Sequence, residues 1–139
     1  MQFVLEGCLD ILVVDAAGNL SSPGFPVSLP VLPVFCEWTI SSPAFHYVQL
    51  DFHVVDLPQR NRAGGRRASY LSFGDFNAFG RRLEQRRVYG RPESVRPFAS
   101  NGLDTWVTLF SAGDPHGQHR GLLIEITYLR YGDMGLLFL

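Results

Sequence analysis

Between Val48 and Val54 apolar and polar residues alternate at every position. Val48, Leu50, Phe52 and Val54 fall on one side, and Gln49, Asp51 and His53 on the other. A period of two sends successive side chains to opposite faces of an extended chain, so the pattern predicts a half-buried antiparallel strand with its apolar set inward. Cys36-Glu37-Trp38-Thr39-Ile40 repeats it, with Cys36, Trp38 and Ile40 sharing a face. Residues 9–14, 70–73, 105–110 and 122–128 add short runs rich in β-branched and aromatic side chains, which favour strands. Pro23, Pro26, Pro30 and Pro33 rule out a helix across their segment, because proline removes an amide donor and fixes φ. Residues 80–93 are ambiguous, since Leu83 and Val88-Tyr89 are their strongest apolar positions; short strands around a turn fit better than a helix. The expectation is an all-β chain: a two-sheet antiparallel β-sandwich of seven or more short strands.

At 139 residues the chain is long enough for one domain, and its 46% apolar content supplies a core and argues against disorder. Every basic side chain other than histidine is arginine. Ten of the twelve arginines lie between Arg60 and Arg96 against three carboxylates, whereas the rest of the chain has two arginines and ten carboxylates. Arg60, Arg62, Arg66, Arg67, Arg81, Arg82, Arg86 and Arg87 are therefore either solvated loop and edge residues or a patch for an acidic protein or a sulfated glycan. No motif or aromatic pattern supports nucleic-acid binding. No apolar run is long enough to span a bilayer, so this segment is expected not to insert in a membrane. Met1-Gln2-Phe3 does not open a leader of basic then apolar residues, so the chain reads as part of a larger protein or as one whose targeting segment has been removed. Cys8 and Cys36, a lone pair in an all-β chain, read as one disulfide.

Cys8, Gly18-Asn19-Leu20-Ser21-Ser22-Pro23-Gly24-Phe25-Pro26 and Cys36-Glu37-Trp38-Thr39-Ile40 together resemble the start of a CUB domain. The likeness continues through Val48-x-Leu50-x-Phe52, Tyr70-Leu71-Ser72-Phe73-Gly74-Asp75 and Ser100-Asn101-Gly102-Leu103. It closes with Val107-Thr108-Leu109-Phe110-Ser111 and Gly121-Leu122 leading to Tyr128. It covers about residues 8–131, leaving 1–7 and 132–139 as flanks. The resemblance implies a jelly-roll-like sandwich, a Cys8–Cys36 bridge worth ~3–4 kcal/mol in the chain-entropy picture, and an oxidising, extracellular compartment. Asn19-Leu20-Ser21 is an N-glycosylation sequon in the predicted turn, making Asn19 the candidate acceptor. Two departures from the family stand out. A second disulfide of many members is lost, its positions falling at Ala68 (or Arg67) and Tyr89, where a Tyr ring facing an Ala is expected to fill the space. The calcium ligands of many members fall at Pro58, Ser69 and Gly113 or Asp114. Only Asp114, with Asp56 nearby, offers a carboxylate, so no metal is expected.

No other chemistry is signalled. His116 and His119 lie three apart in a turn-rich loop without a cysteine to complete a ligand set, and a solvated turn is expected there. His46 and His53 sit on or near an outer strand face, and Trp38 and Trp106 are expected in the core. No Gly-x-Ser-x-Gly elbow, phosphate loop or His-Glu-x-x-His occurs, so the chain is expected not to be an enzyme and to need no cofactor. The functional expectation is an extracellular protein–protein interaction module within a larger secreted or cell-surface protein. A module binding sulfated glycans through the 60–96 segment is one alternative, and a non-catalytic accessory domain of an extracellular protease or receptor is another.

Overall fold

The computed structural model describes residues 8, 17–58, 68–102 and 104–130, with the backbone alone of 11–14. They form nine strands and no helix: β1 (Ile11–Val14), β2 (Gly18–Ser21), β3 (Val34–Ser41), β4 (His46–Asp56), β5 (Tyr70–Phe76), β6 (Arg82–Tyr89), β7 (Phe98–Ala99), β8 (Thr105–Ser111) and β9 (Gly121–Arg130). One sheet has the order β1-β3-β8-β5-β6 and the other β2-β9-β4-β7. All pairs are antiparallel except β1 with β3, which run parallel. The sandwich is thus as expected, with one parallel pair that the sequence did not announce.

The alternation of β3 is realised in full: Val34, Cys36, Trp38 and Ile40 are buried, and Phe35, Glu37 and Thr39 are half-buried on the other side. Leu71 and Phe73 of β5 and Val107 and Leu109 of β8 join the same core from the first sheet. Val48 and Leu50 of β4 and Ile124 and Ile126 of β9 join it from the second. Burying each such side chain stabilises the fold by about 1.5–3 kcal/mol. Aromatic rings close the seam between the sheets, Phe73 lying 4.6 Å from Phe52 and 5.5 Å from Phe98, centroid to centroid. Cys8 and Cys36 are joined as a disulfide across 28 positions, and the Cys8 carbonyl accepts the Glu37 amide at 3.0 Å.

Four expectations need correction. The register of β4 on β9 slips between Phe52 and Val54, a bulge at His53 that reverses the phase. Val54 is consequently only half-buried, and Val55 and Leu57 take the inward positions. Residues 82–89 form one continuous edge strand, not short strands around a turn; the β5–β6 register slips opposite Gln85, and a strand with one neighbour shows no clean apolar period. Asn19 lies in strand β2, not in a turn. Tyr89 pairs with Tyr70 and is 54% exposed, so its ring does not fill a space left by a missing disulfide.

Candidate functional site

Register fixes what the outer face of the five-stranded sheet displays. Because Leu71, Phe73, Val107 and Leu109 point inward, their neighbours Tyr70, Ser72, Trp106, Thr108 and Phe110 point outward. Cross-strand pairing lines them up in rows. Tyr89, Tyr70, Phe110 and Phe35 make an aromatic row, with the Tyr70 and Phe110 rings 5.8 Å apart. Beside it run Arg87, Ser72, Thr108 and Glu37, then Glu84, Gly74 and Trp106. Gly74 is required at this crossing, since a β-carbon there would collide with the Leu83 carbonyl oxygen and stand 2.8 Å from the Gln85 amide nitrogen.

The charged side chains on this face are held by one another and by the rings. Arg82 pairs with Glu37 at 2.9 Å, donates to the Thr108 hydroxyl at 3.4 Å and lies 4.8 Å from the centre of the Trp106 ring. The Trp106 indole N–H donates to the Asp75 carbonyl at 2.9 Å. Arg87 stacks 4.1 Å from the Tyr70 ring centre and pairs with Glu84 at 3.0 Å. The Ser72 hydroxyl donates to Glu84 at 2.6 Å. That hydrogen bond, aided by Arg87 and opposed by partial burial, holds the Glu84 carboxyl below its ordinary range. Between these groups the face dips into a shallow hollow of about 300 Å³ whose floor and walls include Phe35, Tyr70 and Trp106.

The outer face of the four-stranded sheet is different in kind. Gln49 donates to Asp51 at 3.2 Å, and His53 pairs with Glu125 at 2.7 Å with both side chains about half exposed. Asn19 stands opposite Glu125 on the edge strand.

The predicted arginine patch divides. Arg60, Arg62, Arg66 and Arg67 lie outside the described residues. Arg82 and Arg87 belong to the aromatic face, where carboxylates already neutralise them; Arg81 and Arg86 are exposed, Arg86 opposite the inward Phe73 and so on the other side of β6. Trp106 is buried as expected, at 4% exposure, but on the outer face under Arg82 and not in the core between the sheets. A sequence signal for this face existed: in Thr105-Trp106-Val107-Thr108-Leu109-Phe110 both phases of the alternation carry large apolar residues, so both faces of β8 need cover.

Asp56 and Asp114 organise loops. Asp56 accepts from the His119 ring at 3.0 Å, from Arg91 at 3.0 Å and from the Arg120 amide at 2.9 Å. Burial pushes its carboxyl up, but these three donors outweigh it and the net shift is downward. His119 is therefore held by a carboxylate and is not a solvated turn residue, while His116 is exposed. Asp114 accepts from the Gln118 and His119 amides at 3.0 and 2.9 Å. Ser69 accepts the Ala112 amide at 2.9 Å, and Pro58 is buried. Both carboxylates thus face N–H donors that a cation would have to displace. Among the described residues, no group of three or more His, Cys, Asp or Glu could hold a metal ion, and no helix is long and apolar enough to cross a membrane.

No protein-family model and no curated protein matches the chain. Solved structures do. The chain is similar to the full extracellular region of zebrafish Gpr126/Adgrg6, with a TM-score of 0.69 and 21% identity, covering 88% of this chain and 15% of that one. It is similar to the CUB1-EGF-CUB2 domains of rat MASP-1, with a TM-score of 0.68 and 20% identity over 86% of this chain and 42% of that one. A crystal structure of the MASP-1 CUB2 domain bound to Ca2+ gives a TM-score of 0.63 and 17% identity, over 86% of this chain and 98% of that one. The chain therefore spans less than half of the first two and nearly all of a single CUB domain.

Proposed function

We propose that this chain, whose fold is of the CUB type, is an extracellular protein–protein interaction module, one non-catalytic domain of a larger secreted or cell-surface protein. The observation that carries this reading is the outer face of the five-stranded sheet. Tyr, Trp and Arg are the residue types that dominate binding energy at protein interfaces, and here Tyr70, Trp106, Arg82 and Arg87 line one hollow, with Tyr89 paired to Tyr70 at its edge. Stacking and ion pairing hold Arg82 and Arg87 in place before any partner arrives, which lowers the ordering cost of association. Because Glu37 and Glu84 neutralise those two arginines, a partner gains from apolar contact and hydrogen bonds more than from net charge. A sulfated glycan would have to displace both carboxylates, so a protein partner fits the face better.

The test uses the oxidised domain, immobilised and exposed to cell surfaces and conditioned medium, with three variant sets compared with the wild type. Tyr89→Ser with Arg87→Ser alters the aromatic face, His53→Ser with Gln49→Ser alters the opposite face, and Arg60, Arg62, Arg66 and Arg67→Ser alter the basic loop. The expected result is loss of the recovered partner with the first set alone. Full recovery with that set overturns the assignment of the face, and loss with the third set alone moves the site to the loop.

A further inference from the structure

We infer that Asn19 carries an N-linked oligosaccharide, and that this glycan covers the open edge of the four-stranded sheet, leaving the five-stranded face as the bare surface of the domain. The inference rests on the extracellular reading above, because the lipid-linked sugar donor is met in the secretory lumen.

Three observations converge on Asn19. The Asn19-Leu20-Ser21 sequon lies wholly in strand β2, where Leu20 is buried at 5% exposure while Asn19 and Ser21 are exposed. In an extended chain residues i and i+2 share a side, so the acceptor amide and the recognised hydroxyl both point outward. Second, β2 is an edge strand, with β9 as its one neighbour in the order β2-β9-β4-β7. An open edge invites another chain to pair with it, and proteins block such edges with charge, with shortness or with a cover. The edge strand β6 carries Arg82, Arg86 and Arg87, and β7 has two residues. By contrast, the Gly-Asn-Leu-Ser of β2, like the Ile-Leu-Val-Val of the edge strand β1 in the other sheet, has four residues and no charge, and of the two only β2 carries a sequon. Third, Asn19 stands opposite Glu125, whose carboxylate is paired with His53 on the far side of β9.

The modification is a transfer from a lipid-linked pyrophosphoryl oligosaccharide. The Asn19 amide nitrogen forms a bond to C1 of the terminal N-acetylglucosamine. The C1–O bond to the pyrophosphate breaks, its electron pair leaves with the lipid pyrophosphate, and the amide proton passes to a base of the transferase. The polar glycan then stands over β2 and its neighbours, on the side of the sandwich opposite the aromatic hollow.

The experiment expresses the chain behind a secretory leader in cultured animal cells and examines retained and secreted protein together. Wild type and Ser21→Thr are expected to lose mass on treatment with peptide N-glycosidase, with Asn19 read as aspartate by mass spectrometry. Asn19→Gln and Ser21→Ala are expected to be unmoved. Wild-type protein with its Cys8–Cys36 bridge formed but no mass loss overturns the inference and leaves the extracellular reading standing. Cysteines that stay reduced beside an attached glycan overturn the Cys8–Cys36 bridge, on which the extracellular reading leans, and leave the inference at Asn19 standing. Sedimentation before and after glycosidase treatment tests the cover: removal is expected to raise self-association, and unchanged sedimentation overturns that half of the inference.

Discussion

The two sheets share one core and the same inward alternation, yet their outer faces have little in common. On the five-stranded sheet Trp106 is 4% exposed although it points away from the core, because Arg82 lies across it and Glu37 fixes Arg82. On the four-stranded sheet the corresponding positions hold Gln49, Asp51, His53 and Glu125, whose mutual hydrogen bonds leave them wet. The first face has built a second, thin layer of packing on its outside; the other ends at the solvent. Both faces carry half-solvated ion pairs that a partner would have to desolvate, but the first also offers aromatic surface in return, whereas the second offers polar side chains. That difference is why the proposed binding function is placed on one side and the proposed glycan on the other.

Removing the indole tests the contrast most severely. Trp106→Ala is expected to cost about 3–4 kcal/mol of stability, since it deletes a buried ring and strands the Asp75 carbonyl that it satisfies. His53→Ala on the opposite face is expected to change stability by less than ~0.5 kcal/mol, because an exposed pair contributes little. Urea midpoints of the two variants make the comparison. Equal losses would mean that the outer layer contributes nothing beyond an ordinary sheet face.

Arg82→Gln is the next step down. It keeps a polar, shorter side chain but gives up the ion pair with Glu37 and the cation–π contact, for an expected loss of about 1 kcal/mol. Trp106 fluorescence should shift to the red as water reaches the ring. An unshifted spectrum would show that Arg82 is not the lid of the indole.

Much of this was legible in the residues. The strands β3, β4, β5, β8 and β9 follow from alternation, the prolines exclude a helix between them, and the cysteine pairing and the turn around Pro23 and Pro26 follow from the lone pair of cysteines and the CUB resemblance. The outer layer was not, because periodicity reports which residues share a face but not which of two apolar faces is the core. Trp106 and Val107 look equivalent in a linear pattern, and only the register of β8 between β3 and β5 separates them. The bulge at His53 was hidden for a related reason: Val54 and Val55 are adjacent valines, and either can be the inward one. In β6 the arginines read as an unpaired patch, since the carboxylate that balances Arg82 lies on β3, 45 positions away in the chain.

Protonation of Glu84 gives the smallest effect and isolates one contact of the aromatic face. The Ser72 hydroxyl, then Arg87, depress its carboxyl below the unfolded value of 4.5. A depressed acid adds stability that is fully present above the unfolded value and is lost as pH falls through the folded one. Glu84 is nearly half exposed, so solvent screening keeps this contribution to about 0.5 kcal/mol. Ser72→Ala removes the leading cause, so its carboxyl should titrate closer to 4.5 and its stability deficit against the wild type should be present at neutral pH and shrink as pH drops below that value. Parallel denaturation curves from pH 7 to pH 3 measure the deficit. A deficit constant across that range would mean that Ser72 contributes by packing on the sheet and that its hydrogen bond does not couple to the charge on Glu84.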